Sequence, residues 1–386
     1  MGRNRAAQDP LDILILGPVP PPFGGISVHV LRLVPLLQRA GFKIGVLNHF
    51  SSTEVPFVVG ALKRNPLNYY RLPRKFRARI VHYHHLRWLH LLAVALGKGS
   101  RDARYVLTLH AGDLRDHFPQ LISRVPFVRR ITHWALRRFD TVIVVDSKIA
   151  SYMQRELEDR RIELIPAFLE SVSSDEKYDD SVEMFLRTGR VLVVAAYGVK
   201  FLRGGREIYG VDTAVDAFVN LAAQEEDLRL IAFLARRPFR PKARRHLHRL
   251  ERRLERAGVR ERVLIVFGLP LVPALRRSAV FVRPTRAEGD ALSIREALRV
   301  GVPVVASDVV QRPDGVVLFR SGDVDGLCAA IRLVLNASAR EPRRSASGIH
   351  ETAADPFSEK LIALYRRELE FSRGALEVSG WTRRRR

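Results

Sequence analysis

The sequence predicts an α/β chain of two domains, each built on a parallel sheet. Three observations carry this. Short runs rich in Val, Ile and Leu recur between amphipathic segments, a polar acidic stretch interrupts that alternation near the middle, and 386 residues exceed what one hydrophobic core usually organises. Hydrophobic residues at 47% against charged residues at 27% match a folded globular protein and exclude a disordered chain.

In the first half the strand-like runs are LDILILG, FKIGVLN, RIVHYHH, RYVLTLH, DTVIVVD and RIELIP. Helical spacing falls between them, over residues 25–40, 86–97, 123–138 and 147–158. Phe127, Ile131, Trp134 and Arg138 mark a buried stripe on the third of these helices, and Pro35 predicts a kink in the first. Such crossovers imply a parallel sheet covered on both faces. This first domain spans 1–170. The stretch ESVSSDEKYDDS has the composition of a linker, placed at 171–185. The alternation restarts with RVLVVAAYG, a helix from Val211 to Ala223, LRLIAFLA, a very basic helix, RVLIVFG, VFVRP, a helix from Ala291, and VPVVAS, giving a second domain over 186–355. A final helix over 356–376 carries Phe357, Leu361, Leu364, Tyr365 and Leu369 on one side. The basic tail, 377–386, ends in WTRRRR, where charge repulsion favours a solvated end.

A formal charge of +24 calls for a polyanionic partner: nucleic acid, an anionic membrane surface or a phosphorylated substrate. An arginine-rich composition without function is the alternative. The single cysteine, Cys328, cannot form an internal disulfide and suits a reducing cytosol. The basic start is followed by an apolar run of about seven residues, too short for a signal peptide or a membrane span, so a cytoplasmic protein is expected.

The first strand leads into GPVPPPFGGISVH, where Gly24 and Gly25 let the backbone approach an anion at a helix N-terminus. Close helix packing alone is the competing explanation. In the second domain, PTRAEGDALSIREALRVGVPVVAS sets Glu288 and Glu296 with seven residues between them. Glu288 precedes a loop, Gly289 to Leu292, and Glu296 lies inside the following helix, so both can face the crevice at the carboxyl edge of the sheet. Carboxylates there accept bonds from neighbouring hydroxyls, while free N–H groups of the loop suit a diphosphate or sugar. Asp323 and Asp325 read as a helix N-terminus, with no metal expected. His82 and His84 share one side of a strand and His85 the other; without a cysteine or carboxylate partner they suit a structural or acceptor-lining role better than a metal.

This stretch resembles the Glu-x7-Glu signature of glycosyltransferase family four, the large group with the two-domain GT-B fold. The resemblance extends to GGISVH, VLTLHAGDL, IELIP and GVPVVAS. It implies two Rossmann-like domains facing across a cleft, with the last helix packing back on the first. It implies that Glu288 binds the donor sugar's hydroxyls, Glu296 the ribose, and the amides of Gly289, Asp290, Ala291 and Leu292 the sugar and phosphate. Gly25 would bring its amide to the diphosphate, with Gly24 beside it. His110 would line the reaction centre, and His29 would join it from the first helix; a core imidazole is the alternative for each. One departure stands out. The family's Arg and Lys diphosphate clamp is absent from its usual places, where this chain has Ala196, Tyr197, Gly198 and Tyr209, so Lys200, Arg203 or Arg206 is expected to supply the charge.

The implied reaction is a retaining transfer from a nucleotide-diphosphate sugar, the leaving phosphate taking the acceptor's proton, with no metal or other cofactor. Basic segments carrying Phe127, Trp134 and Phe139 suit the anionic inner face of the plasma membrane, with a lipid-linked or glycan acceptor in surface-polysaccharide or glycolipid synthesis. Rival readings are a non-catalytic nucleic-acid binder and another GT-B enzyme, such as an epimerase or phosphorylase. Against the first, Glu251, Glu255 and Glu261 interleave with arginines as on a salt-bridged surface helix, so no nucleic-acid partner is expected.

Overall fold

The structure, a computed structural model, describes residues 10–49, 55–63, 65–71, 75–84, 87–98, 103–110, 120, 122–157, 161–166, 177–202, 204–288, 291–340 and 356–383. The chain divides into two compact units. The first holds residues up to 20, from 26 to 170 and from 354 onward; the second holds 21–25 and 171–353.

In the first unit seven strands among the described residues form one parallel sheet. They are β1 (Leu11–Gly17), β2 (Ile44–Asn48), β3 (Val58–Ala61), β4 (Ala78–His84), β5 (Arg104–Leu109), β6 (Thr141–Val144) and β7 (Arg161–Leu164), in the order β3-β2-β1-β4-β5-β6-β7. The helices are α1 (Gly25–Arg39), α2 (Pro66–Arg71), α3 (Trp88–Gly97), α4 (Pro126–Leu136) and α5 (Ser147–Glu156). The strands read as nearly continuous apolar runs because both faces are covered. One face packs Leu14, Leu16, Tyr83, Leu107 and Phe139; the other packs Ile13, Ile15, Ile80, Val106 and Ile143. α1 runs through Pro35 as one helix and buries Val30, Leu33, Val34 and Leu37.

The last helix, which becomes α12 in chain order (Pro356–Arg383), lies on the second of these faces, where Leu361, Leu364 and Tyr365 join the core. Its Glu368 is fully buried and accepts bonds from Arg104 Nε at 2.8 Å and Thr141 Oγ1 at 2.8 Å, with Arg161 at 3.4 Å. The helix continues to Arg383, past the expected boundary at 376.

The second unit carries a six-stranded parallel sheet among the described residues: β8 (Arg190–Ala196), β9 (Leu228–Leu234), β10 (Val263–Phe267), β11 (Val280–Arg283), β12 (Val304–Ser307) and β13 (Val316–Phe319), in the order β10-β9-β8-β11-β12-β13. Its helices are α6 (Asp180–Phe185), α7 (Val211–Ala222), α8 (Pro241–Arg256), α9 (Val272–Leu275), α10 (Leu292–Arg299) and α11 (Val324–Arg340). Both sheets are doubly wound Rossmann-like α/β arrangements.

Two expectations need correction. The acidic stretch assigned to a linker is helical over Asp180–Phe185: Asp179 caps it by accepting from Val182 N at 3.0 Å, and Tyr178, Val182 and Leu186 enter the second unit's core. Phe127 and Trp134 are exposed, at 72% and 42%, because α4 buries Thr132, Ala135 and Leu136 instead. That face seats the small and aliphatic groups against the sheet and leaves the aromatics among arginines.

Candidate functional site

Ligands of open α/β sheets bind beyond the carboxyl ends of the strands, where the strand order reverses. In the second unit that point lies between β8 and β11. The segments that follow these two strands are fastened together there. Arg286 N donates to Ile208 O at 2.6 Å, Thr285 Oγ1 to the same oxygen at 2.9 Å, and Arg283 Nη1 to Ala195 O at 2.5 Å. Gly210 sits in the left-handed region with φ of 70°, and a Cβ on it would stand 1.9 Å from the Pro284 carbonyl oxygen, so only glycine fits.

Of the two predicted glutamates, Glu288 follows β11 at this edge, in the loop before α10, and Glu296 lies within α10, buried at 5% exposure. Glu288 is held by two arginines. Oε1 accepts from Arg283 Nε at 2.8 Å and from its Nη2, and Oε2 accepts from Arg312 Nη1 at 2.7 Å. The three side chains are almost fully buried. A carboxylate offers about four acceptor positions, so these bonds leave one on Oε2 for a ligand hydroxyl. Ala291 is the extended N-cap of α10 and Leu292 its first residue; Gly289 and Asp290 lie outside the described residues.

Of the cations expected opposite a diphosphate, Lys200 and Arg206 are exposed on the segment between β8 and α7, with Lys200 Nζ 4.8 Å from the centre of the Tyr197 ring. Arg203 lies outside the described residues. Sequence reasoning missed a second network in this segment. Glu207, 1% exposed, accepts from Tyr209 N and Val211 N, each at 2.8 Å, and so caps α7. Burial pushes its carboxyl up to about 7 despite those bonds. Arg286 ties the same turn together through Glu207 O, Asp212 Oδ1 and Thr213 Oγ1, all at 2.7 Å.

In the first unit the order reverses between β1 and β4, and four histidines collect at that edge. His82 and His84 come from β4, His110 follows β5, and His29 comes from α1. His82 is enclosed, with Nδ1 2.5 Å from Tyr365 Oη and Nε2 2.7 Å from Thr108 Oγ1, so α12 reaches the site through Tyr365. His84 Nδ1 stands 2.9 Å from His110 Nε2. Burial, with Arg32 adding to it, lowers His29 to about 3; burial and then His29 lower His82 to about 3; burial and the neighbouring imidazoles hold His84 well below its usual value. At neutral pH these three rings are uncharged. His110 is part-exposed and His85 lies outside the described residues. Gly25 opens α1, and a Cβ on it would meet nothing within 4 Å, so helix packing does not require a glycine there; Gly24 precedes it.

Elsewhere, Asp323 accepts from Gly326 N at 3.0 Å at the start of α11, and Cys328 is a buried free thiol. In α8, Arg253 pairs with Asp216 at 2.9 Å and His248 with Glu251 at 3.2 Å. Among the described residues no helix is long and apolar enough to cross a membrane.

Two family models match the chain. "Glycosyltransferase Family 4" covers residues 23–170 and "Glycosyl transferases group 1" covers residues 177–337. The lipopolysaccharide core biosynthesis mannosyltransferase LpsB of Rhizobium meliloti is 25% identical over 300 residues, 74% of each chain. Among solved structures, the fold is similar to sucrose-phosphate synthase from Thermosynechococcus elongatus, with a TM-score of 0.62 at 18% identity over 97% of this chain and 98% of that one. It is also similar to Anabaena HepE in complex with UDP and glucose, with a TM-score of 0.58 at 14% identity over 96% and 100%. A third similar structure, described as trehalose-6-phosphate from E. coli bound with UDP-2-fluoro glucose, has a TM-score of 0.59 at 12% identity over 95% and 98%.

Proposed function

The chain belongs to the group 1 glycosyltransferases of family 4, and on that premise we propose that it is a retaining enzyme moving a sugar from a nucleotide-diphosphate donor to a lipid-linked or glycan acceptor. The observation that carries the donor reading is Glu288, held by Arg283 and Arg312 in the loop between β11 and α10 beside the switch point of the second sheet, with Glu296 following in α10. A sugar hydroxyl takes the acceptor position left on Glu288 Oε2, the ribose hydroxyls meet Glu296, and amides of residues 289–292 meet the sugar and phosphate. HepE with UDP and glucose and the structure with UDP-2-fluoro glucose support a nucleotide-sugar donor, without fixing the nucleotide used here.

Glycosyl transfer requires charge at the departing diphosphate and oxygen ligands around an oxocarbenium-like sugar. Lys200, exposed beside Tyr197, supplies the first together with Arg206 or Arg203; Gly25, where a Cβ would meet nothing within 4 Å, admits the phosphates to backbone N–H groups, while Gly24 makes room for the Tyr197 ring, 2.5 Å from where its Cβ would stand. His110 lines the reaction centre, His29 and His84 stand on the acceptor side, and His82 holds them from behind. The leaving phosphate takes the acceptor's proton, so transfer needs neither a nucleophilic side chain nor a metal.

A membrane-borne acceptor is supported by α4 and the turn before it. Val125, Phe127 and Trp134 are exposed there among Arg124, Arg129, Arg130, Arg137 and Arg138, all exposed. Each arginine near anionic lipid is worth about 1 kcal/mol, and the aromatics suit the headgroup level, so the chain would work from the cytoplasmic face. LpsB, a mannosyltransferase of lipopolysaccharide core synthesis, supports a surface-glycan role. The test is transfer from radiolabelled UDP-, GDP- and ADP-sugars to extracted membrane lipids. Donor-dependent labelling of lipid with the donor's anomeric configuration supports the reading; hydrolysis or epimerisation without an acceptor product refutes it.

A further inference from the structure

His29, His84 and His110 come from sequence positions far apart and meet through the fold alone. One nitrogen from each lies within 4.8 Å of the others. The ring centres are 5.4 Å apart for His29 and His84, 5.0 Å for His29 and His110, and 5.3 Å for His84 and His110. Three imidazoles holding one tetrahedral ion at about 2.0–2.1 Å place their ring centres about 5 Å apart, so the backbone already spaces these rings as ligands. A bound ion would need the nitrogens about 3.3 Å apart and would replace the hydrogen bond by which His84 Nδ1 and His110 Nε2 already stand 2.9 Å apart.

His84 is fully buried, and its Nε2 has no hydrogen-bond partner among the described residues, which is costly for a polar atom. The neighbouring His82 is fixed by Tyr365 and Thr108 and packs on the His84 ring at 4.1 Å between centres, supplying a rigid backing.

We propose that His29, His84 and His110 form a binding site for a divalent transition metal ion of the zinc class, with water completing the coordination and no part in the transfer step. Imidazole suits zinc, copper and nickel and discriminates against magnesium and calcium, which prefer oxygen. The sequence points away from this, because it offers His82, His84 and His85 as the candidate group; the fold replaces two of the three. The site lies within the first unit and shares its three histidines with the proposed acceptor side, whereas the donor-binding Glu288 and Glu296 lie in the second unit and are tested separately.

The experiment uses the full chain without a histidine tag, stripped with a chelator and titrated with Co2+ and then Zn2+. One equivalent of cobalt should bind with the visible absorption of a tetrahedral site and be displaced by zinc. His84→Ala and His110→Ala should each weaken binding at least about tenfold. His110 is part-exposed, so its truncation leaves the core packing in place if His84→Ala fails to fold. His248→Ala, on exposed α8, should bind as the parent does. Absence of one-equivalent binding, or binding unchanged in His110→Ala, overturns the site. Donor-dependent thermal stabilisation of the stripped chain reports separately on the donor reading, so either can fail alone.

Discussion

Replacing Glu368 by Ala tests how α12 is fixed to the first unit. The side chain is fully buried and makes three contacts. The bond from Arg104 Nε, at 2.8 Å, is charge-assisted and worth about 1.5–3 kcal/mol. The buried bond from Thr141 adds about 1 kcal/mol. Arg161, at 3.4 Å and 37% exposed, adds at most a few tenths of about 1 kcal/mol after solvent screening. Arg104 keeps Asp140 at 3.2 Å when Glu368 is lost, which caps the penalty. The expected cost is about 3 kcal/mol, equivalent to a population ratio of about 100. Hydrogen exchange read by mass spectrometry resolves it locally: amides of 361–372 should exchange about 100-fold faster through opening of α12, with the second unit unchanged. Protection of α12 within about threefold of the parent would refute the assignment of its docking energy to this cluster.

Other expectations bear on the remaining features. Glu207 has a carboxyl raised from 4.5 to about 7, so its contribution favours the folded state below about pH 4.5 and is lost as pH rises through 7. Relative to Glu207→Gln, the parent should therefore lose about 3 kcal/mol of second-unit stability between pH 5 and 8; denaturation midpoints that run parallel across this range would contradict it. Gly210→Ala should destabilise the second unit by about 3 kcal/mol or more, because left-handed strain adds to a clash with the Pro284 carbonyl; an unchanged melting temperature would show that the loop relaxes freely. Arg129→Ala with Arg130→Ala should lower partitioning onto phosphatidylglycerol vesicles about 30-fold at low salt, and no change would remove α4 from the membrane contact.

Much of the fold was readable because buried parallel strands leave short apolar runs between longer amphipathic segments. The edge strands β3 and β13 escaped notice: each is four residues long and only partly buried, so neither shows a strong run. Phe127 and Trp134 fall at helical spacing, yet α4 turns the smaller Thr132 and Ala135 inward, with Thr132 Oγ1 accepting from Trp88 Nε1 of α3 at 2.9 Å. At the site, Glu288 and Glu296 are visible as a spacing within one segment. Arg312, 24 residues beyond Glu288, and Arg286, 79 residues beyond Glu207, are not, since only the switch point brings them together and 65 basic residues hide any one of them. The same holds for His29, joined to His84 by neither spacing nor motif.

Glu288 also changes how its own variants must be designed. Removing the carboxylate leaves Arg283 and Arg312 buried without their partner, a loss of about 3–5 kcal/mol that would mask any effect on binding. Glu288→Gln keeps the volume and part of the bonding, and Glu296→Ala lies apart from both arginines in the bonds described for Glu288.

Donor binding at Glu288 and Glu296 is tested most directly by donor-dependent thermal stabilisation of the full chain, screened with UDP-, GDP- and ADP-sugars and repeated in Glu296→Ala and Glu288→Gln. One donor class should raise the melting temperature of the parent, and both variants should lose most of that rise. A donor shift of equal size in both variants would contradict it.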